Sequence, residues 1–281
     1  GLVHRHELSG VLHGLFRVRS FTQDDAHLYC LPEQVEDEVV GVIELVRRMY
    51  RTFGFQKVHM ELSTRPDKSI GTAEMWERAE AALAKALERL GLEYQLNPGD
   101  GAFYGPKIDF HIEDVMGRTW QCATCQLDFA MPDRFELEYI GEDNQRHRPV
   151  MLHRTVLGSI ERFLGIIIEH YGGAFPAWLA PVQVVAVPVA DRHVDYARSV
   201  AAELAAAGLR VEVDERTESV GRKIRDNEML KIPFMLIVGD KEVAAGTVSV
   251  RAHGQGDLGA MSREVATATI AAQAQMPSTG V

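Results

Sequence analysis

The chain changes rhythm at Phe175-Pro176-Ala177-Trp178-Leu179-Ala180-Pro181. Ahead of that segment Ile108, Phe110 and Ile112 alternate with Lys107, Asp109, His111 and Glu113, and Arg118 to Phe129 reads as a further strand. Strands that follow one another with no helix between them favour an antiparallel sheet, because a parallel crossover needs a dozen or more residues. Beyond the segment, Val182 to Val189 is apolar apart from Gln183, as a strand covered on both faces is. An Ala-rich helix from Val194 to Ala207 closes at Gly208. Strand-like Leu209 to Val213, helical Val220 to Leu230, strand-like Phe234 to Val238 and Thr247 to Arg251, and a helix near Arg263 to Gln273 follow in turn. The reading is two domains: residues 1–176, an α+β unit on an antiparallel sheet, and residues 177–281, a smaller α/β unit. A chain of 281 residues, 46% of them hydrophobic, has the material for both cores.

Within the first domain Val35, Val39, Val42, Ile43, Val46, Met49, Tyr50 and Phe53 recur at helical spacing and stop at Gly54. Val58, Met60 and Leu62 alternate as a strand. A second helix is predicted from about Ala73 to Leu90, a short strand from Leu92 to Leu96, and a loop over Asn97-Pro98-Gly99-Asp100-Gly101. The tail from Gln275 to Val281 reads as disordered.

The first 27 residues carry an unusual density of charge. From Arg5 to His27 the sequence reads as two strands joined by a loop, with Arg5 and Glu7 on one side of the first strand and Arg17 and Arg19 on one side of the second. Arg forks bind phosphate oxygens and Phe21 offers a stacking face, so the window suits a polyanion attached to a planar ring. A salt-bridged hairpin is the competing explanation.

Arg5-His6-Glu7 with Arg17 and Phe21 resembles motif 2 of the class II aminoacyl-tRNA synthetases, and Gly158-Ser159-Ile160-Glu161-Arg162-Phe163-Leu164-Gly165 resembles their motif 3. Between them, F-T-Q-D-D-A-H (21–27), Y-G-P-K-I-D (104–109), Q-C-A-T-C-Q-L-D-F (121–129) and M-L-H-R (151–154) are similar to signatures of the threonyl-tRNA synthetase family. The resemblance implies a class II catalytic core beginning inside motif 2, followed by an anticodon-binding domain. Motif 1, which builds the dimer of the complete protein, would precede Gly1.

The same resemblance implies roles. Arg5 would hold the α-phosphate and the amino-acid carboxylate, Glu7 the adenine amino group, Phe21 the ring, and Arg17 and Arg162 the outer phosphates of ATP with its Mg2+. Gln23, Asp25, Tyr104, Lys107, Gln121, Cys122 and Ser159 would line the threonine pocket. His27 and His153 occupy positions where the family has zinc ligands, the third being a cysteine expected ahead of Gly1. Threonine's amine and hydroxyl could both bind an open zinc position, with Asp25 accepting from the hydroxyl. Valine would be rejected by roughly 10⁴-fold or more, serine by only about 1–3 kcal/mol. Taken alone, Tyr104 could be packing and Lys107 solvated. Cys122 and Cys125 form a C-x-x-C, but residues three apart in a strand point to opposite faces and chelate together with difficulty.

In the second domain Gly221-Arg222-Lys223-Ile224-Arg225 and the pair Glu242 and Arg251 are the features connected with RNA, although a solvated helix face explains the first cluster nearly as well. The resemblance implies that Glu242 and Arg251 lie near the anticodon bases of tRNA(Thr). Thr217 departs from it, since relatives often carry a longer polar residue there.

A net charge of −10 argues against non-specific coating of nucleic acid and leaves room for a local basic groove. Three cysteines, no signal peptide and no apolar run long enough to span a bilayer point to the cytoplasm. The expected protein is an ATP-dependent threonine-activating ligase. The alternatives are a fragment or paralogue that binds tRNA or nucleotide without completing the reaction.

Overall fold

The computed structural model describes residues 1–278, so the last three residues of the expected tail lie outside the described residues. The chain divides after His170 into two compact units.

In the first unit β1 (Leu2–His4) and β2 (Ser20–Thr22) form a separate antiparallel pair with Val3 opposite Phe21. They are followed by β3 (Ala26–Cys30), α1 (Val35–Thr52), β4 (Val58–Ser63), α2 (Ala73–Arg89), β5 (Gln95–Asn97), β6 (Lys107–Glu113), β7 (Thr119–Asp128), α3 (Ala130–Arg134), a short hairpin of β8 (Tyr139–Ile140) and β9 (Arg146–His147), β10 (Val150–Thr155) and α4 (Ile160–His170). The main sheet runs β3-β10-β7-β6-β4-β5, antiparallel throughout except for the parallel pair β4–β5.

The apolar stripe of α1 explains its position. Val39, Ile43, Val46 and Tyr50, at spacings of three and four, are all fully buried. Tyr50 fastens the helix to the sheet: its hydroxyl donates to Val156 O at 2.9 Å and accepts from the Ala123 amide at 2.8 Å. Ile108, Phe110 and Ile112 of β6 are also fully buried. The alternate residues of the same strands, Lys107 and Asp109, are left to the polar side, where the site lies.

The hairpin strands are shorter than the charge pattern suggests. Arg5, Glu7, Arg17 and Arg19 sit just beyond them, although the Arg5 amide still donates to Arg19 O at 2.9 Å. The strand expected at Leu92 to Leu96 contracts to Gln95–Asn97, where it pairs with β4. The central strand β10 gives no period-2 signal because Val150, Met151 and Leu152 are all buried.

The second unit contains β11 (Val184–Pro188), α5 (Val194–Ala206), β12 (Val211–Val213), α6 (Val220–Met229), β13 (Phe234–Val238), α7 (Asp240–Ala245), β14 (Thr247–Ala252), β15 (Gly256–Ser262) and α8 (Arg263–Gln273). Its sheet order is β12-β11-β13-β14-β15, with the first three strands parallel and the last two antiparallel. Val184, Ala186, Leu236, Val248 and Val250 build the core under Val200, Leu204, Ala266 and Ile270 of the helices. β15 is hard to read from the sequence because Asp257 and Gly259 are exposed, Gly256 is half-buried, and the three carry no apolar alternation.

Candidate functional site

Two adjoining cavities open on the polar face of the first unit. The first, about 140 Å³, is bordered by Arg5, Glu7, Arg17, Phe21, Gln121 and Arg162, together with Gln23, Cys122 and Ser159. The second, about 220 Å³, is bordered by Asp25, Tyr104, Gln126 and His153. Arg5, Gln23, Thr124 and Thr155 belong to both, so Arg5 stands at the junction. Twelve of the residues expected in the first unit's site therefore border one cavity or the other; His27 and Lys107 do not.

The arginines are held differently. Arg17 pairs with Glu7, Nη2 to Oε2 at 3.0 Å, while the Arg5 guanidinium lies 5.1 Å over the Phe21 ring. Arg162 has backbone partners: Nε donates to Phe16 O at 2.8 Å and Nη1 to Gln121 O at 3.1 Å. Two carbonyls fix its direction while its full charge stays available to an anion.

The segment carrying Arg162 is set by Asp24 and Glu161, for which the sequence suggests no role, together with Gly158 and Ser159 of the motif itself. Asp24 accepts from the amides of Val156 at 2.9 Å and of Leu157 and Gly158 at 3.1 Å. Glu161 accepts from the Thr22 amide at 2.9 Å; burial raises its carboxyl pKa, but hydrogen bonds from its own amide, the Thr22 amide and the Ser159 hydroxyl outweigh this and keep it below the usual range. Ser159 Oγ caps the start of α4 by accepting from the Arg162 amide at 3.2 Å. Gly158 has φ of +72° and lies so close to β7 that a Cβ would fall 2.4 Å from Cys122 O; only glycine fits there. An acidic pair in D-D and a glycine ahead of S-I-E-R are weak signals, since each is common in loops.

Behind the cavities a polar network links β6 and β7. Asp109 accepts from Gln121 Nε2 at 2.6 Å, Thr124 Oγ1 at 2.9 Å and Lys107 Nζ at 2.6 Å. Burial pulls the Lys107 ammonium toward neutrality, but the hydrogen bonds and charges of Asp109 and Asp100 outweigh it and raise its pKa. Lys107 is therefore a paired group beneath the site, with its side chain 17% exposed, and not a solvated one. Tyr104 donates to Gln126 Oε1 at 2.8 Å, and burial beside Asp128 and Asp25 raises its pKa.

The ladder corrects one expectation. A bulge sets Phe110 opposite Ala123 but His111 opposite Gln121, so β7 contains one extra residue. Gln121 and Thr124, three apart, consequently reach the same carboxylate oxygen, and strict alternation fails at Cys122. Cys122 and Cys125 are both free, and burial pushes each thiol up to about 12, with Arg162 partly opposing this at Cys122.

His27 and His153 are register partners on β3 and β10, with ring centroids 4.6 Å apart. His153 Nε2 lies 2.9 Å from the buried Asp128 carboxylate. Among the described residues no group of three His, Cys, Asp or Glu side chains is arranged to hold an ion. Two histidines are fewer donors than a tetrahedral zinc site takes, so the described residues do not by themselves complete one.

In the second unit Glu242 and Arg251 lie apart. The Glu242 carboxylate accepts from the Gly239 amide at 2.9 Å, capping α7 beyond the end of β13, whereas Arg251 is paired with Met235 near the start of that strand. About 13 Å of strand separates the two positions. Arg251 borders a cavity of about 540 Å³ with Arg225 and Glu228, and its Nε is buried with no hydrogen-bond partner among the described residues. Lys223, from the basic cluster, is only 4% exposed and donates to Pro188 O at 3.2 Å, which removes it from the RNA-facing set. Thr217 is exposed. No helix among the described residues is long and apolar enough to cross a membrane.

Comparison with known proteins agrees with this architecture. Residues 1–171 match the tRNA synthetase class II core domain (G, H, P, S and T), and residues 183–273 match an anticodon binding domain. The chain is 63% identical over 259 residues to a threonine–tRNA ligase of Carboxydothermus hydrogenoformans, covering 92% of this chain and 41% of that protein. It is 61% identical over 270 residues to that of Syntrophomonas wolfei, covering 96% and 42% respectively. It thus spans about two fifths of the length of these curated relatives. The crystal structure of the RNA binding domain of threonyl-tRNA synthetase from Cryptosporidium parvum Iowa II superposes with a TM-score of 0.93 at 40% identity, covering 99% of this chain and 70% of that one. With a class II core, an anticodon-binding domain and this degree of identity, the chain belongs to the threonyl-tRNA synthetase family of class II aminoacyl-tRNA synthetases.

Proposed function

We propose that this chain carries the nucleotide and amino-acid sites of a threonine–tRNA ligase, which joins threonine to ATP as threonyl-adenylate and transfers it to tRNA(Thr). The observation that carries the reading is the pair of cavities meeting at Arg5, one edged by three arginines and the other by Asp25, Tyr104 and His153. Activation needs a carboxylate brought in line with an α-phosphate while positive charge gathers around the phosphates. Arg5 is the residue for the α-phosphate and the incoming carboxylate, Arg17 and Arg162 for the outer phosphates of Mg2+-bound ATP, Phe21 for the adenine face and Glu7 for its amino group. Gln23, Gln121, Cys122, Ser159 and Tyr104 line the threonine side, Lys107 steadies it through Asp109, and Asp25 accepts from the threonine hydroxyl.

In this reading residues 1–176 are the catalytic core and residues 177–281 the anticodon-binding domain. Glu242 and Arg251 are the candidates for reading anticodon bases. His27 and His153 are two ligands of a Zn2+ site, the one part of the scheme for which this chain's donors fall short. The working protein is a cytoplasmic homodimer. The test is threonine-dependent exchange of pyrophosphate into ATP. Exchange should appear with threonine, less with serine and not with valine, and Arg162→Ala should lower it at least tenfold. Near-normal exchange in Arg162→Ala would refute the assignment of the phosphate site.

A further inference from the structure

The loop between β1 and β2 ends in a tight turn, where the Phe16 amide donates to His13 O at 2.9 Å and the Arg17 amide to the same oxygen at 3.2 Å. Leu8, Val11, Leu12 and Leu15 on this loop are 37% to 69% exposed, whereas Phe16 is 7% exposed. Its ring occupies a slot on the body of the unit. It stacks on Trp120 with centroids 4.6 Å apart, and the Arg118 guanidinium lies 5.4 Å over Phe16 and 5.2 Å over Trp120. Gly165 of α4 forms the floor, where a Cβ would come within 3.3 Å of the Phe16 ring.

The walls of the slot are braced independently of the loop. The buried Asp114 carboxylate accepts from Trp120 Nε1 and from Arg118 Nε, each at 2.7 Å, and Arg118 also pairs with Glu169 of α4. Arg162 donates one hydrogen bond to Phe16 O and another to the carbonyl of Gln121, the neighbour of Trp120. The direction of the guanidinium thus depends on Phe16 being seated beside Trp120, since withdrawing the ring carries the Phe16 carbonyl away with it.

We propose that Phe16 is a positioning residue: seated between Trp120, Arg118 and Gly165, it latches the loop and aims the Arg162 guanidinium at the nucleotide phosphates. The proposal rests on the nucleotide reading of the first cavity. Burial of one aromatic ring is thereby converted into orientation of a charged group that has no carboxylate ion-pair partner among the described residues.

The experiment is calorimetric titration of this chain with Mg2+-ATP, with thermal unfolding recorded for every variant. Phe16→Ala and Arg162→Ala should each weaken ATP binding by about tenfold, and the double variant should be little worse than either, because one residue acts through the other. Phe16→Leu keeps an apolar side chain in the slot without the stack; it should melt close to the unmutated chain and still bind ATP about fivefold more weakly. Unchanged binding by Phe16→Leu, or losses that multiply in the double variant, overturn the latch. If Arg162→Ala itself binds ATP normally, the nucleotide reading fails and the latch with it. If Arg162→Ala is impaired and Phe16→Leu is not, only the latch fails.

Discussion

Asp24 is the residue whose removal should be most costly relative to its modest appearance in the sequence. Its carboxylate serves three consecutive amides, Val156, Leu157 and Gly158, at 2.9 to 3.1 Å, and these residues form the approach to the helix bearing Arg162. In Asp24→Ala all three donors lose their acceptor at once. An unsatisfied amide costs about 1–3 kcal/mol, and because the region is only partly buried the low end applies, giving about 3 kcal/mol in total. Asp24→Asn keeps one carbonyl oxygen and loses the charge, so about half that loss is expected, near 1.5 kcal/mol. Urea unfolding measures the total. Hydrogen exchange of a peptide spanning residues 155–160 localises it, since those amides should lose protection ahead of the rest of the sheet. A loss below about 1 kcal/mol in Asp24→Ala, with unchanged exchange at 155–160, would refute the view that this carboxylate holds the loop in place.

Three further outcomes follow from particular residues. Gly158→Ala places a methyl group 2.4 Å from Cys122 O at φ of +72°, so it should cost about 2–4 kcal/mol in urea unfolding and weaken ATP binding; a stable variant that binds normally would mean the loop can retreat from β7. His111 is held below its ordinary pKa, first by burial and then by His59 and Lys107, against the opposing pull of Glu61 and Asp109. Its unfolded form therefore binds the proton more readily, so its contribution is complete above the unfolded value of about 6.5 and falls as pH drops through the lower folded one. Stability measured between pH 7.5 and 5 should decline less in His111→Gln than in the unmutated chain, and parallel declines would exclude the residue. Arg251→Ala should weaken tRNA(Thr) binding and cost about 1–3 kcal/mol of discrimination at one anticodon base, whereas equal loss on cognate and anticodon-swapped tRNA would assign it to the phosphate backbone.

What could be read from the sequence was whatever repeats. The α1 stripe recurs often enough to mark a helix face, and the alternation of Lys107 to Glu113 marks a strand with one polar side; both elements occur at the expected places. Elements without a repeat were illegible. β10 is apolar over three successive residues because it is a central strand, and β15 is glycine-rich and exposed because it is an edge. The bulge in β7 left no trace either, since one extra residue changes which faces Cys122 and Thr124 present without changing composition.

The site divides along the same line, between residues whose chemistry is visible in their type and residues whose work depends on what they meet. Arg5, Arg17 and Arg162 suggest a phosphate site by residue type alone, because guanidinium forks match phosphate oxygens, and the three border one cavity, although Arg17 also pairs with Glu7. Phe16 announces nothing: it is one apolar residue among Leu8, Val11, Leu12 and Leu15, and only contact with Trp120, Arg118 and Gly165, far away in sequence, distinguishes it from them. Asp24 and Asp25 are identical neighbours with different partners, one satisfied by three backbone amides and the other bordering the second cavity. No composition or spacing argument separates them, because the difference lies in which side chain the strand end turns toward the loop at 156–158. Residues that contact a ligand are thus selected for intrinsic chemistry and are legible one at a time. Residues that aim those contacts are selected for a fit across more than a hundred positions and become legible only in the folded chain.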